Sequence, residues 1–154
     1  MLYRRYTPQD FDQLYALEEA CFQPPLRFGR GYMHQLVSSS DSATWIAEDG
    51  GMAGFGLVEW ADESGQIVGY IQTLEVAPDR RGQGVGGELL RLMEDSARAA
   101  DAQGIWLHVD AENASAIRLY EAQGYRCAGQ KANYYARSRD ALIYAKGLGT
   151  KTGS

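Results

Sequence analysis

Apolar residues recur along the chain in two patterns, one with helical spacing and one that alternates as in a strand. The first helix-spaced set consists of Phe11, Leu14, Tyr15, Leu17 and Phe22. Positions three and four apart share one face of a helix, so this set predicts an amphipathic helix. Thr7 is suited to its N-cap, Pro8 to its first position and Asp10 to its third. Pro24 and Pro25 are expected to stop it.

The remaining segments alternate between strand-like and helix-like patterns. Further helices are predicted over residues 31–37, from 85 to near 104, and over 113–122. Strands are predicted over residues 2–6, 44–48, 52–60, 67–76, 105–110, 125–130 and 141–146. The early strands follow one another through short turns, which favours antiparallel pairing. A strand, a helix and a strand across residues 67–110 predict one parallel pair. We therefore expect an α/β fold with a mixed sheet.

Composition narrows the class of protein. The chain has 154 residues, of which 45% are apolar and 23% charged, and this fits one globular domain over residues 1–146. The polar, glycine-rich residues 147–154 are expected to form a flexible tail. A net charge of -5 argues against a nucleic-acid partner. No apolar run approaches membrane-spanning length, so we expect a cytoplasmic protein with no membrane partner. The sequence carries no signal of an oligomeric state.

The two cysteines do not suggest a site. Cys21 and Cys127 lie far apart, with no CxxC or Cys/His cluster around them. This spacing argues against a disulfide framework and predicts no metal site. No activating base lies near Cys127 in the sequence, so a nucleophilic role for its thiol is disfavoured.

A glycine-rich loop precedes the third predicted helix. Gly82, Gly84 and Gly87 satisfy GxGxxG, but five residues separate the preceding strand from the first glycine, which disfavours a dinucleotide fold. No Lys followed by Ser or Thr comes after the glycines, which excludes a P-loop. Glycines that expose backbone N–H groups at a helix N-terminus nevertheless favour anion binding. Arg80 and Arg81 add positive charge.

Two motifs resemble one enzyme family. The segment with Val76, Pro78, Arg80, Arg81, Gly82, Gly84 and Gly86 is similar to the Arg-x-x-Gly-x-Gly segment of the GCN5-related N-acetyltransferases. The run NASAIRLYEAQGY, from Asn113 to Tyr125, resembles the second coenzyme segment of that family. The resemblance implies a mostly antiparallel sheet of six to seven strands, flanked by about four helices, with a central parallel pair. It also implies acetyl-CoA, with coenzyme A as product. The implied coenzyme-binding residues are Leu74, Glu75, Val76, Arg81, Gly82, Gln83, Gly84, Val85, Gly86, Gly87, Asn113 and Tyr120.

Within this family, LHVDAEN and KANYYAR resemble enzymes that acetylate protein α-amino groups. Bacterial members usually have glutamate where His108 stands. One eukaryotic branch pairs a histidine on this strand with a tyrosine on the preceding one, as His108 and Tyr70 would. The Phe-Pro segment of that branch is similar, with one extra residue, to the run from Phe22 to Leu26. The implied acceptor-binding residues are Phe22, Pro24, Pro25, Leu26, Tyr134 and Tyr135.

Acetyl transfer needs a neutral amine, a polarised carbonyl and a protonated leaving thiolate. An α-amine has a pKa of about 7.7 to 8.0, so a neutral histidine such as His108 is a sufficient base. Tyr70 would relay the proton, and Tyr120 would be the general acid. Each also has a structural interpretation, as a core or helix side chain. The sequence thus predicts direct transfer to the α-amine of a peptide or protein. A free small amine (a polyamine, amino acid or aminoglycoside) and a non-catalytic acetyl-CoA sensor stay open as alternatives.

Overall fold

The computed structural model describes residues 1–149, which form a seven-stranded sheet flanked by helices. The strands are β1 Leu2–Arg5, β2 Ser42–Glu48, β3 Met52–Glu63, β4 Gln66–Val76, β5 Gly104–Asp110, β6 Arg126–Ala136 and β7 Arg139–Gly147. The helices are α1 Phe11–Cys21, α2 Arg30–Ser38, α3 Val85–Ala99 and α4 Ala114–Ala122. Every predicted strand and helix is present, with ends that differ by a few residues.

The strand order is β1-β2-β3-β4-β5-β7-β6. Only β4 and β5 run parallel, because α3 carries the chain back to the same end of the sheet. The other neighbours pair antiparallel. The expected mixed sheet with one central parallel pair is confirmed.

The N-terminal signals act as predicted, but over a shorter helix. Thr7 and Asp10 form a capping box, and the chain makes one 3₁₀ turn over Pro8–Asp10 before α1 begins at Phe11. The helix ends at Cys21, and Phe22 already has extended backbone angles. Phe22 therefore lies just outside the helix on which its spacing placed it, and the two prolines follow in the loop to α2.

Two apolar layers cover the two faces of the sheet. On one face, α1 and α2 pack over β2 and β3, and the side chains of Leu14, Met33 and Phe55 are fully buried between them. On the other face, α3 and α4 pack over the central strands, with Met93 and Leu107 at the centre. The helices α3 and α4 thus bury one face of the central strands, and these strands supply a rigid base for the groups at their ends.

The parallel strands separate towards their C-terminal ends. Their register runs from Val68 opposite Gly104 to Ile71 opposite Leu107 and stops there. Beyond this point β4 continues to Val76 and β5 to Asp110 without pairing to each other. The gap between these two ends leads from one face of the sheet towards the other.

The C-terminal boundary differs from the prediction. Gly147, expected to begin the tail, is the last residue of β7 and pairs with Gly104. Leu148 is buried, and its N–H donates to the carbonyl of Gln103. Burial of an apolar side chain thus holds two of the predicted tail residues on the sheet. Residues 150–154 of that predicted tail lie outside the described part. Among the described helices, none is long and apolar enough to span a membrane.

Candidate active site

A cavity of about 450 Å³ lies where the end of β4 meets the N-terminus of α3. We call it the donor cavity. Its walls combine the end of β4, the glycine-rich loop and one face of α4. It contains most of the residues that the sequence assigned to coenzyme binding: Leu74, Glu75, Val76, Arg81, Gly82, Gly84, Val85, Gly86, Gly87, Asn113 and Tyr120. Gln83 is exposed and is not among its lining residues.

The glycine loop directs backbone donors into this cavity. Gly82 and Gly84 have φ angles of +78° and +81°, a conformation that glycine adopts without strain. A β-carbon on either would meet no atom within 4 Å, so their surroundings are open. No carbonyl of residues 1–149 accepts a hydrogen bond from the N–H groups of residues 82–87. These donors, with the positive end of the α3 dipole, suit an anionic group.

The two arginines before the glycines have different surroundings. Arg80 lines the donor cavity and forms an ion pair with Asp49. The guanidinium of Arg81 donates to the carbonyl of Val76 at 3.1 Å and lies 3.7 Å from the sulfur of Cys21. Arg81 therefore closes one side of the donor cavity, and Arg80 holds the loop.

Asn113 and Tyr120 lie at the start and the end of α4. Asn113 is the N-cap, and its Oδ1 accepts from the N–H of Ala116 at 3.2 Å. Tyr120 is only 6% exposed. Burial raises the pKa of its hydroxyl above the usual value, so Tyr120 keeps its proton at neutral pH. Both residues line the donor cavity and the smaller cavity beside it.

That smaller cavity, of about 110 Å³, occupies the gap between the separated strands. We call it the passage. It shares Phe22 and Leu74 with the donor cavity, and it reaches His108 and Tyr135 on its other side. Leu26 also lines it. The passage therefore joins the donor cavity to the opposite face of the sheet.

On that face lies an open cleft of about 520 Å³, which we call the acceptor cleft. Its walls are largely aromatic and come from the α1–α2 loop, the first turn of α2, the middle strands and the β6–β7 hairpin. They include Phe28, Tyr32, Trp60, Tyr70, Trp106, His108, Tyr134 and Tyr135. Glu59 and Glu63 supply the acidic side chains of the cleft.

Tyr70 and His108 meet where the acceptor cleft joins the passage. The Tyr70 hydroxyl lies 2.7 Å from His108 Nδ1, a hydrogen bond between the two parallel strands. Tyr134 stacks on the imidazole, with ring centroids 4.2 Å apart. Trp106 lies on the same face of β5 as His108, and it packs against the Tyr70 ring. The pair predicted from the sequence is thus brought into contact.

The surroundings favour uncharged forms of both groups. Burial, and then the charge of Lys131, lower the pKa of His108 below 6.5. Burial, and then the neighbouring Tyr134, raise the pKa of Tyr70 above 10. At neutral pH the imidazole is therefore neutral and able to accept a proton, while the phenol keeps its own.

Four of the predicted acceptor-binding residues lie elsewhere than in the acceptor cleft, and one of them, Leu26, lines only the passage. Phe22 lines the donor cavity and the passage. Pro24 and Pro25 are exposed in the α1–α2 loop and line neither the cleft nor the passage. Phe28, which the sequence analysis did not select, supplies the loop side chain of the cleft.

Sequence reasoning also missed Glu18, which lines the passage and is buried. The sequence does carry a signal for Glu18. Glu18 shares a helical stripe with the buried Leu14 and Leu17, and a carboxylate at such a position needs a special partner.

The comparisons with known proteins identify the family. The model of the Acetyltransferase (GNAT) family matches residues 11–125, about three quarters of the chain. The chain belongs to the GNAT family of acetyltransferases. It is thus an N-acetyltransferase, and acetyl-CoA is the acetyl donor of this family. The expected family and cofactor are confirmed.

Individual relatives differ in what they acetylate. Streptothricin acetyltransferase from Streptomyces lavendulae is 37% identical over 98 residues, which are 62% of this chain and about half (51%) of that protein. The [ribosomal protein bS18]-alanine N-acetyltransferase of Escherichia coli K12 is 32% identical over 103 residues, which are 65% of this chain and 67% of that protein. The crystal structure of Arabidopsis thaliana NAA60 in complex with acetyl-CoA superposes with a TM-score of 0.83 at 22% identity, covering 95% of this chain and 97% of that one.

Proposed function

We propose that this GNAT enzyme transfers an acetyl group from acetyl-CoA directly to the α-amino group of a peptide or protein N-terminus. The observation that carries the proposal is the hydrogen bond between Tyr70 and His108 at the inner end of the acceptor cleft. It supplies a neutral base on the acceptor side of the passage, and Tyr120 supplies a phenol towards the donor side.

The donor cavity supports binding of the cofactor. The free N–H groups of residues 82–87 suit its pyrophosphate, and the two glycines leave room for close approach. Asn113 borders both cavities, and its amide is suited to the amide groups of the pantetheine arm. When bound, acetyl-CoA supplies an activated thioester. The residues of the cavity orient that thioester towards the passage.

Proton removal is assigned to the Tyr70–His108 pair. The α-amine must lose a proton before it can attack, and at a pKa of about 7.7 to 8.0 this costs little at neutral pH. We assign a relay in which the Tyr70 hydroxyl takes the amine proton and passes its own to His108 Nδ1. The lowered pKa of His108 keeps the imidazole neutral, and the relay uses the tautomer that carries its proton on Nε2, so that Nδ1 can accept. No acyl-enzyme is needed for direct transfer.

Proton return is assigned to Tyr120 Oη. Its raised pKa keeps the phenol protonated, so that it can donate to the leaving sulfur. The Tyr70–His108 pair and Tyr120 therefore lie on opposite sides of the acetyl group that is transferred. This arrangement suits direct attack of the amine on the thioester in the passage.

The acceptor cleft suits a chain that enters with its amine first. Tyr134 and Tyr135 form one wall and Phe28 belongs to the opposite loop. The cleft is open at its outer end, so the rest of a peptide can extend away from the sheet. Aromatic walls bind apolar side chains through buried area and rigid contact.

A free small amine is the second candidate. It is favoured by the 37% identity to streptothricin acetyltransferase. Glu59 and Glu63 in the acceptor cleft would also attract a compact polycation.

A substrate panel tests the proposal. At saturating acetyl-CoA, kcat/KM is measured for short peptides with free N-termini, for the same peptides with blocked N-termini, and for spermidine, an amino acid and an aminoglycoside. We expect the free peptides to exceed both other groups by at least about tenfold, a difference of about 1.4 kcal/mol. A higher kcat/KM for a small amine would replace the peptide by that class. No turnover of any acceptor, with acetyl-CoA bound, would support a sensor.

A further inference from the structure

Two glutamates meet in the interior between α1 and β4. Glu18 is 1% exposed and Glu75 is 3% exposed, and their carboxyl groups lie within hydrogen-bond reach of each other. Glu18 lines the passage, and Glu75 lines the donor cavity. The pair therefore lies at the boundary between the donor cavity and the passage.

Each carboxyl group has one oxygen with a donor and one without. Glu18 Oε2 accepts from the N–H of Phe28 at 2.8 Å. Glu75 Oε2 accepts from the Thr73 hydroxyl, also at 2.8 Å. The Oε1 atoms of both glutamates are buried and receive no hydrogen bond from any residue in the range 1–149. A single proton held between the two carboxyl groups would satisfy both of these oxygens.

Repulsion between the two carboxylates also favours one shared proton. Two carboxylates buried side by side repel each other. Burial, and then Glu18, raise the pKa of Glu75 well above its ordinary value. The nearby Arg81 is exposed and directs its guanidinium to the Val76 carbonyl and the sulfur of Cys21. His108 and Asp110 face Glu18 from β5 across the passage, and Asp110 is itself paired with Arg139.

We propose that Glu18 and Glu75 share one proton, and that this acid pair positions the loop of the acceptor cleft. Phe28 connects the acid pair to this loop. Its N–H is held by Glu18 and its carbonyl accepts from the Tyr15 hydroxyl at 2.8 Å, so α1 fixes both sides of this residue. The Phe28 side chain lines both the passage and the acceptor cleft. Glu18 is thus a positioning residue that links the donor cavity wall to the acceptor loop. This positioning role rests on the proposed function, whereas the shared proton does not.

Infrared difference spectroscopy of the whole protein tests the shared proton. The C=O stretch of a protonated carboxyl group is separate from that of a carboxylate. We expect wild type to show one protonated carboxyl at pH 8, E75Q to lose it, and E18Q to shift its frequency and to lose it at a lower pH than wild type does. An amide can replace the proton in the hydrogen bond, so both variants keep a bridge between α1 and β4.

E94Q is the matched control. Glu94 is also buried, but Lys146 and Tyr125 donate to its two oxygens. The protonated band should survive in E94Q. Absence of the band in wild type, its survival in E75Q, or an unchanged band in E18Q would overturn the shared proton.

Steady-state kinetics test the positioning role with whichever acceptor the panel identifies. E18A removes the acceptor of the Phe28 N–H, and we expect its KM for the acceptor to rise about fivefold or more. Its KM for acetyl-CoA should change less. E18Q, which can still accept from Phe28, should restore most of the acceptor KM.

Equal rises in the two KM values of E18A, or equal acceptor KM values in E18A and E18Q, would refute positioning. The infrared result is independent of the activity, so failure of the proposed function leaves it readable. If E18A does not fold, E18Q decides the role through pH. In wild type we expect the acceptor KM to rise at alkaline pH, when the shared proton leaves, and in E18Q we expect no such rise. The same rise in both proteins would refute positioning.

Discussion

Tyr70→Phe removes one hydroxyl group and leaves its ring in place. The hydroxyl makes a 2.7 Å hydrogen bond to His108 Nδ1. A bond of this kind contributes about 0.5 to 1.5 kcal/mol to stability. For a domain of this size, that amounts to a fall in Tm of roughly 1 to 6 °C.

The expected loss of activity is much larger than this loss of stability. Removing a positioned proton-transfer group lowers kcat by about 10²-fold to 10⁴-fold. If Tyr70 and His108 form one relay, His108→Ala and the double variant should be about as slow as Tyr70→Phe, because each change breaks the same path. If the two residues contributed independently, the fold-losses in kcat of the two single variants would multiply in the double variant.

The pH dependence gives a second measure. A protonated imidazole cannot accept a proton, so kcat/KM should rise with pH through the pKa of His108. Burial lowers that pKa, and the inflection should therefore lie below 6.5. His108→Ala should lack this inflection and keep the one that belongs to the amine. His108→Glu should recover part of kcat, because a carboxylate can receive the same proton.

The assay follows release of the coenzyme A thiol at saturating acetyl-CoA and acceptor. His34→Ala is the matched control, because His34 is the other histidine of the chain and lies exposed on α2. It should retain the wild-type kcat and pH profile. If His108→Ala also retains both, the histidine is structural. If the double variant loses the product of the two single effects, the relay is wrong.

Three further predictions use matched changes. Gly84→Ala should raise the KM for acetyl-CoA about tenfold or more, because it disturbs the N–H donors of the loop. Gly65 has a similar positive φ in a remote turn, so Gly65→Ala should lower stability by the same amount as Gly84→Ala, about 1 to 2 kcal/mol, without raising that KM. Equal KM values would refute the glycine cradle. Tyr120→Phe should lower kcat about 10²-fold or more at unchanged acetyl-CoA affinity, whereas Tyr144→Phe, whose hydroxyl bonds a surface glutamate, should not. A loss of affinity alone would mean that Tyr120 only lines the site. Asp10→Asn should lower the free energy of unfolding at pH 7 by about 2 kcal/mol. Because an arginine lowers the pKa of Asp10 from 3.8 to about 2, that difference should vanish in urea titrations as the pH falls through this range, and a constant difference would refute the ion pair.

The sequence predicted the elements and their pairing because these depend on local patterns. Helical spacing, capping residues and turn glycines fixed the positions of four helices and seven strands. The length of β6 was underestimated, because its exposed residues up to Ala136 lack the alternation of a strand with one buried face. The buried end at Leu148 was missed for a related reason, since a single apolar residue carries no periodicity.

The site could be predicted only where a motif carried it. The glycine loop, Asn113, Tyr120 and His108 lie in continuous segments of the family pattern. The acceptor-side residues depend instead on how the α1–α2 loop closes over the sheet. The pattern pointed to Pro24 and Pro25, whereas the hydrogen bonds to α1 direct Phe28 into the cleft. Contacts between distant segments of this kind have no local signal.

The central claim concerns which nitrogen receives the acetyl group. A single peptide with a free α-amine and an internal lysine is incubated with enzyme and acetyl-CoA, and fragment-ion mass spectrometry locates the added acetyl group. The α-amine, with a pKa of about 7.7 to 8.0, loses its proton far more easily than lysine at about 10.4. The account predicts acetylation at the first residue, and its loss with Tyr120→Phe. Acetylation of the lysine side chain, with the α-amine left free, would contradict it.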